Sequence, residues 1–280
     1  MIDTTVETSL LGIELSDDQF QQVRDLAYKL AGINLSAGKE GLVKARLLKR
    51  MRALHIHSFD EYLDMVGESE HQDELWSMID VLTTNKTSFF RESRHFDFVR
   101  DRIVPAARMS GEPLRIWCAG CSSGEEPYTL AIVIREAWPE TTSEQVRILA
   151  TDISMRMLDL ARDGVYSQEN LADLPTDLRQ RHFAAVNCKG RICWQVKPET
   201  RRLVQFARLN LMDDWPMRGL FDAVFCRNVM IYFDKPTQQH LISRFGAVIR
   251  PGGHLFVGHS ESLSTWSHEF RYVQPAVYSR

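Results

Sequence analysis

A chain of 280 residues with 44% hydrophobic and 25% charged side chains has the composition of a globular protein, one large domain or two modest ones. A formal net charge of −3 argues against a chain built as a whole around nucleic acid, and five cysteines without a framework spacing exclude a disulfide-stapled scaffold. No apolar run approaches membrane-spanning length and no apolar leader precedes a cleavage site, so the expectation is a cytoplasmic protein with no membrane insertion.

The first eighty or so residues read as helix. "SDDQFQQVRDLAYKLAGINL" offers Ser16 as N-cap and acids in the first turn. It sets Phe20, Val23, Leu26, Ala27 and Leu30 on one face and stops at Gly32. "AGKEGLVKARLLKRMRAL" repeats the pattern with Leu42, Leu47, Leu48, Met51 and Leu54, and "FDEYLDMVG" and "HQDELWSMIDVLTT" add two shorter amphipathic helices. No strand pattern precedes residue 110. The second helix carries Lys39, Lys44, Arg46, Lys49, Arg50 and Arg52 against Glu40 alone. Two readings stand: a solvated exterior, or a cationic surface for an acidic partner.

From residue 114 the texture alternates. "LRIWCA", "VRILATDI", "VQFARLNL", "FDAVFCRN" and "GHLFVGH" are short, nearly continuous apolar runs, as buried parallel strands are. Helical stretches separate several of them: "PYTLAIVIREAW", "SMRMLDLARDGVY" and "PTQQHLISRFGAVIR", the last followed by "PGG". The tail "FRYVQPAVYSR" reads as a closing antiparallel hairpin. The fold class is therefore α/β, a doubly wound sheet behind a helical domain. "HFAAVNCKGRICWQV" breaks the alternation and reads as a small antiparallel insertion turning at Lys189-Gly190.

The stretch "RIWCAGCSSGEEPYTLAIVIREA" poses a choice between a thiol site and a cofactor loop. Cys118 lies in the apolar strand run, and Cys188 and Cys193, separated by four residues, are poor partners for a zinc site with Cys118 and Cys121. No metal is expected. Gly120 and Gly124 instead loosen a strand-to-helix turn whose exposed N–H groups would cradle a pyrophosphate in a dinucleotide enzyme. Here Glu125 and Glu126 occupy that helix start. Carboxylates repel a pyrophosphate and attract an ammonium or sulfonium, which favours S-adenosylmethionine over NAD. Asp152, ending "RILATDIS", is placed to accept ribose hydroxyls or to cap the next helix.

"NKTSFFRES", "CSSGEEPYTLA", "ATDIS", "RLNL" and "FDAVFCRNVMIYF" follow one another in an order and spacing that resemble the chemotaxis receptor methyltransferase family. The likeness runs from about residue 16 to the C-terminus. It implies a class I S-adenosylmethionine-dependent methyltransferase that esterifies glutamate side chains on the cytoplasmic domain of bacterial chemoreceptors and releases S-adenosylhomocysteine. It also implies domains: residues 1–82 helical and receptor-recognising, 83–95 a linker, and 96–280 catalytic, with a β-subdomain inserted near 184–203. The loop "AGCSSG" departs from the alternating glycine pattern common among class I enzymes.

Carried onto this chain, the resemblance implies cofactor contacts from Asn85, Thr87, Arg91, Gly120, Glu126, Asp152, Asn210, Leu211, Arg227 and Asn228. Glu126 would take the methionine amino group, Asp152 the ribose, and Asn210 with Leu211 the adenine; Asn210 also reads as a turn residue. Arg91 and Tyr232 are the catalytic candidates, Arg91 orienting the incoming carboxylate and Tyr232 donating one hydrogen bond or walling the site. Lys39, Lys44, Arg46, Lys49 and Arg50 are the substrate-binding candidates. A glutamate carboxylate has a reference pKa near ~4.3 and is already ionised, so no general base is expected. A dehydrogenase would want a different glycine loop, an RNA or small-molecule methyltransferase leaves "NKTSFFR" and the basic front domain unexplained, and a cofactor-free adaptor would lack Asp152 or Glu126. The expected state is a monomer.

Overall fold

Residues 13–263 and 268–280 are described by the structure, a computed structural model. They form two compact units. One runs up to Thr84 and takes in Tyr232–Asp234; the other comprises Asn85–Ile231 with Lys235–Arg280.

The first unit holds α1 (Asp17–Ala31), α2 (Glu40–Leu54), α3 (Phe59–Gly67) and α4 (Gln72–Leu82). Ser16 caps α1 as the sequence predicts: its hydroxyl accepts from the Gln19 N–H, and the Gln19 side chain accepts from the Ser16 N–H. Such a reciprocal cap stabilises a helix start by about 1 kcal/mol. Gly32 closes the helix at φ 68°, in the left-handed region. In α2 the buried stripe is Val43, Leu47 and Met51, while Leu42, expected on the apolar face, is 48% exposed. One residue of offset turns a helical side chain by about 100°, enough to carry Leu42 off a narrow stripe.

Three of the cations of α2 are committed within this unit. Arg50 pairs with Glu74 of α4, whose buried carboxylate also accepts from the Tyr62 hydroxyl at 2.9 Å. Arg46 donates to the Leu82 carbonyl and the Thr84 hydroxyl. Lys44 meets Glu14 at 2.7 Å. Lys49 and Arg52 are exposed and Lys39 half-buried. The basic helix is thus partly an internal brace, which its charge pattern did not reveal.

Tyr232–Asp234 joins this unit through specific bonds. The Asn34 N–H donates to the Tyr232 carbonyl at 2.7 Å, Ile33 and Phe233 form an antiparallel bridge, and the Tyr28 hydroxyl donates to Asp234 at 3.0 Å. The Tyr232 hydroxyl donates to the Thr84 carbonyl at 2.9 Å and accepts from the Thr84 N–H at 3.0 Å.

The second unit opens with α5 (Arg94–Phe98), a π-helical turn (Val99–Ile103) and α6 (Val104–Ser110). Its main sheet contains β1 (Leu114–Ala119), β2 (Val146–Asp152), β6 (Val204–Arg208), β7 (Phe221–Cys226), β8 (Ile249–Val257), β9 (Arg271–Gln274) and β10 (Val277–Ser279). The strand order is β6-β2-β1-β7-β8-β10-β9. The first five strands are mutually parallel, and the β9/β10 hairpin joins antiparallel through β10, as its sequence predicts. The order reverses between β1 and β7, so the loops after β1, β2 and β7 open at one crevice, where ligands bind in such sheets.

Alternation along β1 feeds two cores. Leu114, Ile116 and Cys118 face α7 (Glu125–Ala137) through Leu130, Ala131 and Ile134. Trp117 faces the other way, onto Trp215 at 4.7 Å and Phe245 of α11 (Lys235–Val248) at 5.5 Å between ring centroids. The "PGG" signal does not stop α11 directly. The chain has entered β8 at Ile249, and the glycines instead shift the β7/β8 register, from Phe221 opposite Ile249 to Ala223 opposite His254.

The insertion is larger than its sequence suggests. It is a three-stranded sheet, β3-β5-β4, formed by β3 (Val165–Ser167), β4 (Phe183–Cys188) and β5 (Arg191–Val196). The predicted turn at Lys189 and Gly190 is present, both in left-handed backbone. "ARDGVY" reads as the end of a helix, but Gly164, at φ 59°, ends α8 (Met155–Asp163) and sends Val165 into the small sheet. At the other side that sheet closes at Val196, and α10 (Pro198–Arg201) is a short helix rather than part of it. Among the described residues no helix is long and apolar enough to cross a membrane.

Candidate active site

The segment "NKTSFFRES" is bolted to the sheet unit by its two phenylalanines. Phe89 lies edge-on to Tyr166 (4.9 Å) and Phe183 (5.5 Å) in the core of the small sheet, while Phe90 packs on Phe96 of α5 at 6.0 Å. Both Phe90 and Glu92 sit at positive φ, 55° and 58°. Non-glycine residues avoid this conformation unless their surroundings fix it. The ring anchors hold the distortion and set the direction of Arg91 between them. The Arg91 guanidinium is half-buried and donates to the Lys86 carbonyl at 3.0 Å, and the Asn85 carbonyl accepts from the Ser122 hydroxyl at 3.0 Å.

Ser122 belongs to the loop after β1, and Asp152 ties that loop to the tip of β2. The Asp152 carboxylate accepts from the Ser122 N–H at 2.8 Å through one oxygen and from the Ser154 N–H at 2.9 Å through the other. Gly120 and Gly124 adopt φ of 90° and 96°. A Cβ on Gly120 would lie 2.4 Å from Val229, and one on Gly124 would lie 2.9 Å from Ala161 and the Tyr166 hydroxyl. These glycines let Val229, Ala161 and Tyr166 pack closely against the loop. Cys118, Cys121 and Cys226 are buried, and burial pushes their thiols well above the usual range, so none is a ready thiolate.

Arg227, just past β7, is the hub. Its side chain is 2% exposed and donates to Glu126 at 2.8 Å, to Glu92 at 3.1 Å and to the Arg91 carbonyl, with the Phe96 ring 5.4 Å away. One guanidinium and two carboxylates carry a net charge of −1, so the cluster has capacity for one more cation. Burial raises the Glu126 carboxyl against the pull of Arg227. Burial opposes the charge of Glu92 too, but Arg227 outweighs it and holds that carboxyl below its usual value. Glu125 is 3% exposed, bonded to the Ser123 hydroxyl at 2.7 Å, and raised by burial. His95 is fully buried beside Glu92, and burial and Arg227 depress it to about 4, so it is neutral near pH 7.

Asn210 does turn chemistry: its side-chain oxygen accepts from the Met212 N–H at 3.1 Å and its amide donates to Asp213 at 3.1 Å. Leu211, beside it, is buried. Asn228 is left-handed at φ 59°. Sequence reasoning missed the residue that holds it there, Glu261. This buried carboxylate accepts from the N–H groups of Asn228 (2.8 Å), Gly258 (2.7 Å) and Ile231 (3.1 Å), fixing the loop after β7. Glu92 and His95 were missed as well; an acid and a histidine just after an "FFR" run were the available signal.

Asn85, Thr87, Arg91, Gly120, Glu126, Asp152, Asn210, Leu211, Arg227 and Asn228 all fall in the sheet unit, whereas Tyr232 and the cations of α2 belong to the helical one. The model of the CheR methyltransferase SAM binding domain matches residues 85–278, and that of the CheR methyltransferase all-alpha domain matches residues 18–83. The chain belongs to the CheR methyltransferase family. It is 43% identical over 263 residues to chemotaxis protein methyltransferase 2 of Pseudomonas aeruginosa, covering 94% of this chain and 92% of that one. The chemotaxis protein methyltransferase of Escherichia coli K12 is 39% identical over 279 residues, 98% and 96% of the two chains, and that of Borreliella burgdorferi 36% over 277 residues, 96% of each. As a CheR methyltransferase, this protein uses S-adenosylmethionine to methylate, in chemotactic adaptation.

Proposed function

We propose that this CheR methyltransferase esterifies glutamate side chains on the cytoplasmic domain of chemoreceptors, acting as a cytoplasmic monomer with no metal needed for turnover and no nucleic-acid partner. The observation that carries the reading is the net −1 cluster of Glu92, Arg227 and Glu126 at a helix start where a nucleotide enzyme would cradle phosphate. That donor set fits S-adenosylmethionine. Glu126 takes the methionine ammonium, Glu92 keeps Arg227 from monopolising Glu126, and the Asp152 carboxylate at the tip of β2 takes the ribose hydroxyls. Asn85, Thr87 and Arg91 close the cofactor from the linker, Gly120 and Asn228 border it with backbone, and Asn210 with Leu211 flank the adenine.

The cofactor supplies an electrophilic methyl carbon on a sulfonium. The receptor glutamate arrives ionised, so the protein has only to align the groups and exclude water. Arg91 orients the carboxylate. The single proton of the Tyr232 hydroxyl is committed to the Thr84 carbonyl, so Tyr232 straps its own segment within the helical unit rather than donating to substrate. Lys39, Lys49 and Arg52 remain for the acidic receptor surface, with Lys44, Arg46 and Arg50 acting through the fold.

The test is transfer of labelled methyl from S-adenosylmethionine to purified receptor cytoplasmic domains, followed by mild base. Label released as methanol identifies a carboxyl ester. Base-stable label would place the methyl on nitrogen and overturn the glutamate reading.

A further inference from the structure

Glu92, His95 and His259 turn one ligand atom each toward a common point. Glu92 Oε2 lies 3.7 Å from His95 Nδ1 and 3.9 Å from His259 Nε2, and the three ligand atoms lie within 4.8 Å of one another. A tetrahedral ion with bonds of about 2.0–2.1 Å sets its ligands about 3.3 Å apart, so small side-chain movements would close the set. His95 is 0% exposed, and among the described residues neither of its ring nitrogens meets a hydrogen-bond partner at full bonding geometry, although the Pro275 carbonyl stands near enough to pull on its proton. A buried imidazole without well-placed hydrogen-bond partners has the capacity to ligate a metal. His259 is 50% exposed and lines an open pocket of about 410 Å³, walled by Arg94 and Arg102 as well as Asp97 and Asp101, so the cluster is open to solvent on that side.

We propose that Glu92, His95 and His259 form an accessory site for a zinc-class divalent ion, and that the ion opposes cofactor binding. Two imidazoles and one carboxylate suit Zn²⁺ and its neighbours, not the oxygen-seeking Mg²⁺ or Ca²⁺. Metal on Glu92 competes with Arg227 for the same carboxylate. Arg227 then leans on Glu126, the group assigned to the cofactor ammonium. The antagonism rests on that assignment of Glu126; the metal site does not.

The experiment is Zn²⁺ titration by calorimetry on protein stripped with chelator, in a C188S/C193S background that removes the half-buried thiols of the β-hairpin as competitors. One ion per chain is expected. His259→Ala, at an exposed position, should weaken that binding about 10- to 100-fold or more while S-adenosylhomocysteine affinity in metal-free buffer is kept. Linkage requires saturating S-adenosylhomocysteine to weaken Zn²⁺ binding by the factor by which Zn²⁺ weakens it. Absence of Zn²⁺ binding, or binding indifferent to His259→Ala, overturns the site. Zn²⁺ affinity unchanged by S-adenosylhomocysteine overturns the antagonism and leaves the esterification reading intact.

Discussion

Glu126 shows how a single side chain couples charge to pH. Burial raises its carboxyl above the ordinary 4.5 despite the salt bridge to Arg227. Only the ionised form attracts an ammonium, so cofactor affinity should fall with acidification in a window beginning above 4.5. Glu126→Gln should bind S-adenosylhomocysteine more weakly near neutrality and show little pH dependence across that window. Calorimetry at a series of pH values reads both; an equal slope in the variant would assign the effect elsewhere. Asp152→Ala removes the proposed ribose acceptor and the tie to Ser122 together, so S-adenosylhomocysteine binding should weaken by about 1–3 kcal/mol. Unchanged affinity would remove Asp152 from the site.

At the scale of elements, the cations of α2 separate into two kinds. Arg50→Glu would place a second negative charge against the buried Glu74 and should cost about 3 kcal/mol or more of stability, seen as a lower denaturant midpoint. Reversal of Lys49 and Arg52, both exposed, should leave that midpoint nearly unchanged. It should raise the apparent KM for receptor at low salt, the difference closing as salt screens it over about 8 Å. A KM indifferent to that reversal would make the helix a solvated exterior.

The end of α9 (Thr176–His182) carries an acid-labile lock. His182 is buried, with Nδ1 3.0 Å from the Thr200 hydroxyl and Nε2 2.8 Å from Glu136. Burial lowers its pKa below 6.5 in spite of Glu136. The unfolded chain therefore takes up a proton that the folded one refuses, and stability falls as pH drops from 6.5 toward the folded value. Glu136 is held below 4.5 because Arg181 and His182 outweigh its burial, so its share is lost only at lower pH. His182→Gln should flatten the stability profile between about pH 7 and pH 5.5, measured by urea unfolding.

For the whole molecule, cysteine burial gives a direct check on the fold. Cys118, Cys121 and Cys226 are buried and Cys188 and Cys193 half-buried, so brief alkylation of the native protein should stop at two adducts and reach five after denaturation. Mass spectrometry reads the count. Early modification of Cys118 or Cys121 would mean that the loop after β1 opens in solution. Bound S-adenosylhomocysteine should slow any such opening, since a ligand at about 100 times its Kd stabilises the native state by about 2.7 kcal/mol.

The sequence by itself determined the strands of the main sheet, the capped helix at Ser16, the burial of Cys118 and the family, because periodicity, caps and long motifs are local. It placed Glu126 in the first turn of the helix after β1 and Asp152 at the end of β2 for the same reason. What it could not determine depends on contacts between distant segments. The charge of Arg46 and Arg50 reads as surface until Leu82, Thr84 and Glu74 come alongside. β3 has only three residues and becomes a strand because β5 pairs with it. Arg227 acquires its role from Glu92 and Glu126, 135 and 101 residues away, and Asn228 its left-handed backbone from Glu261. Tyr232 spends its one proton on Thr84, 148 residues back in the chain. A side chain's residue type is written in the sequence; which partner consumes its hydrogen bonds and its charge is settled only when the fold brings that partner within about 3 Å.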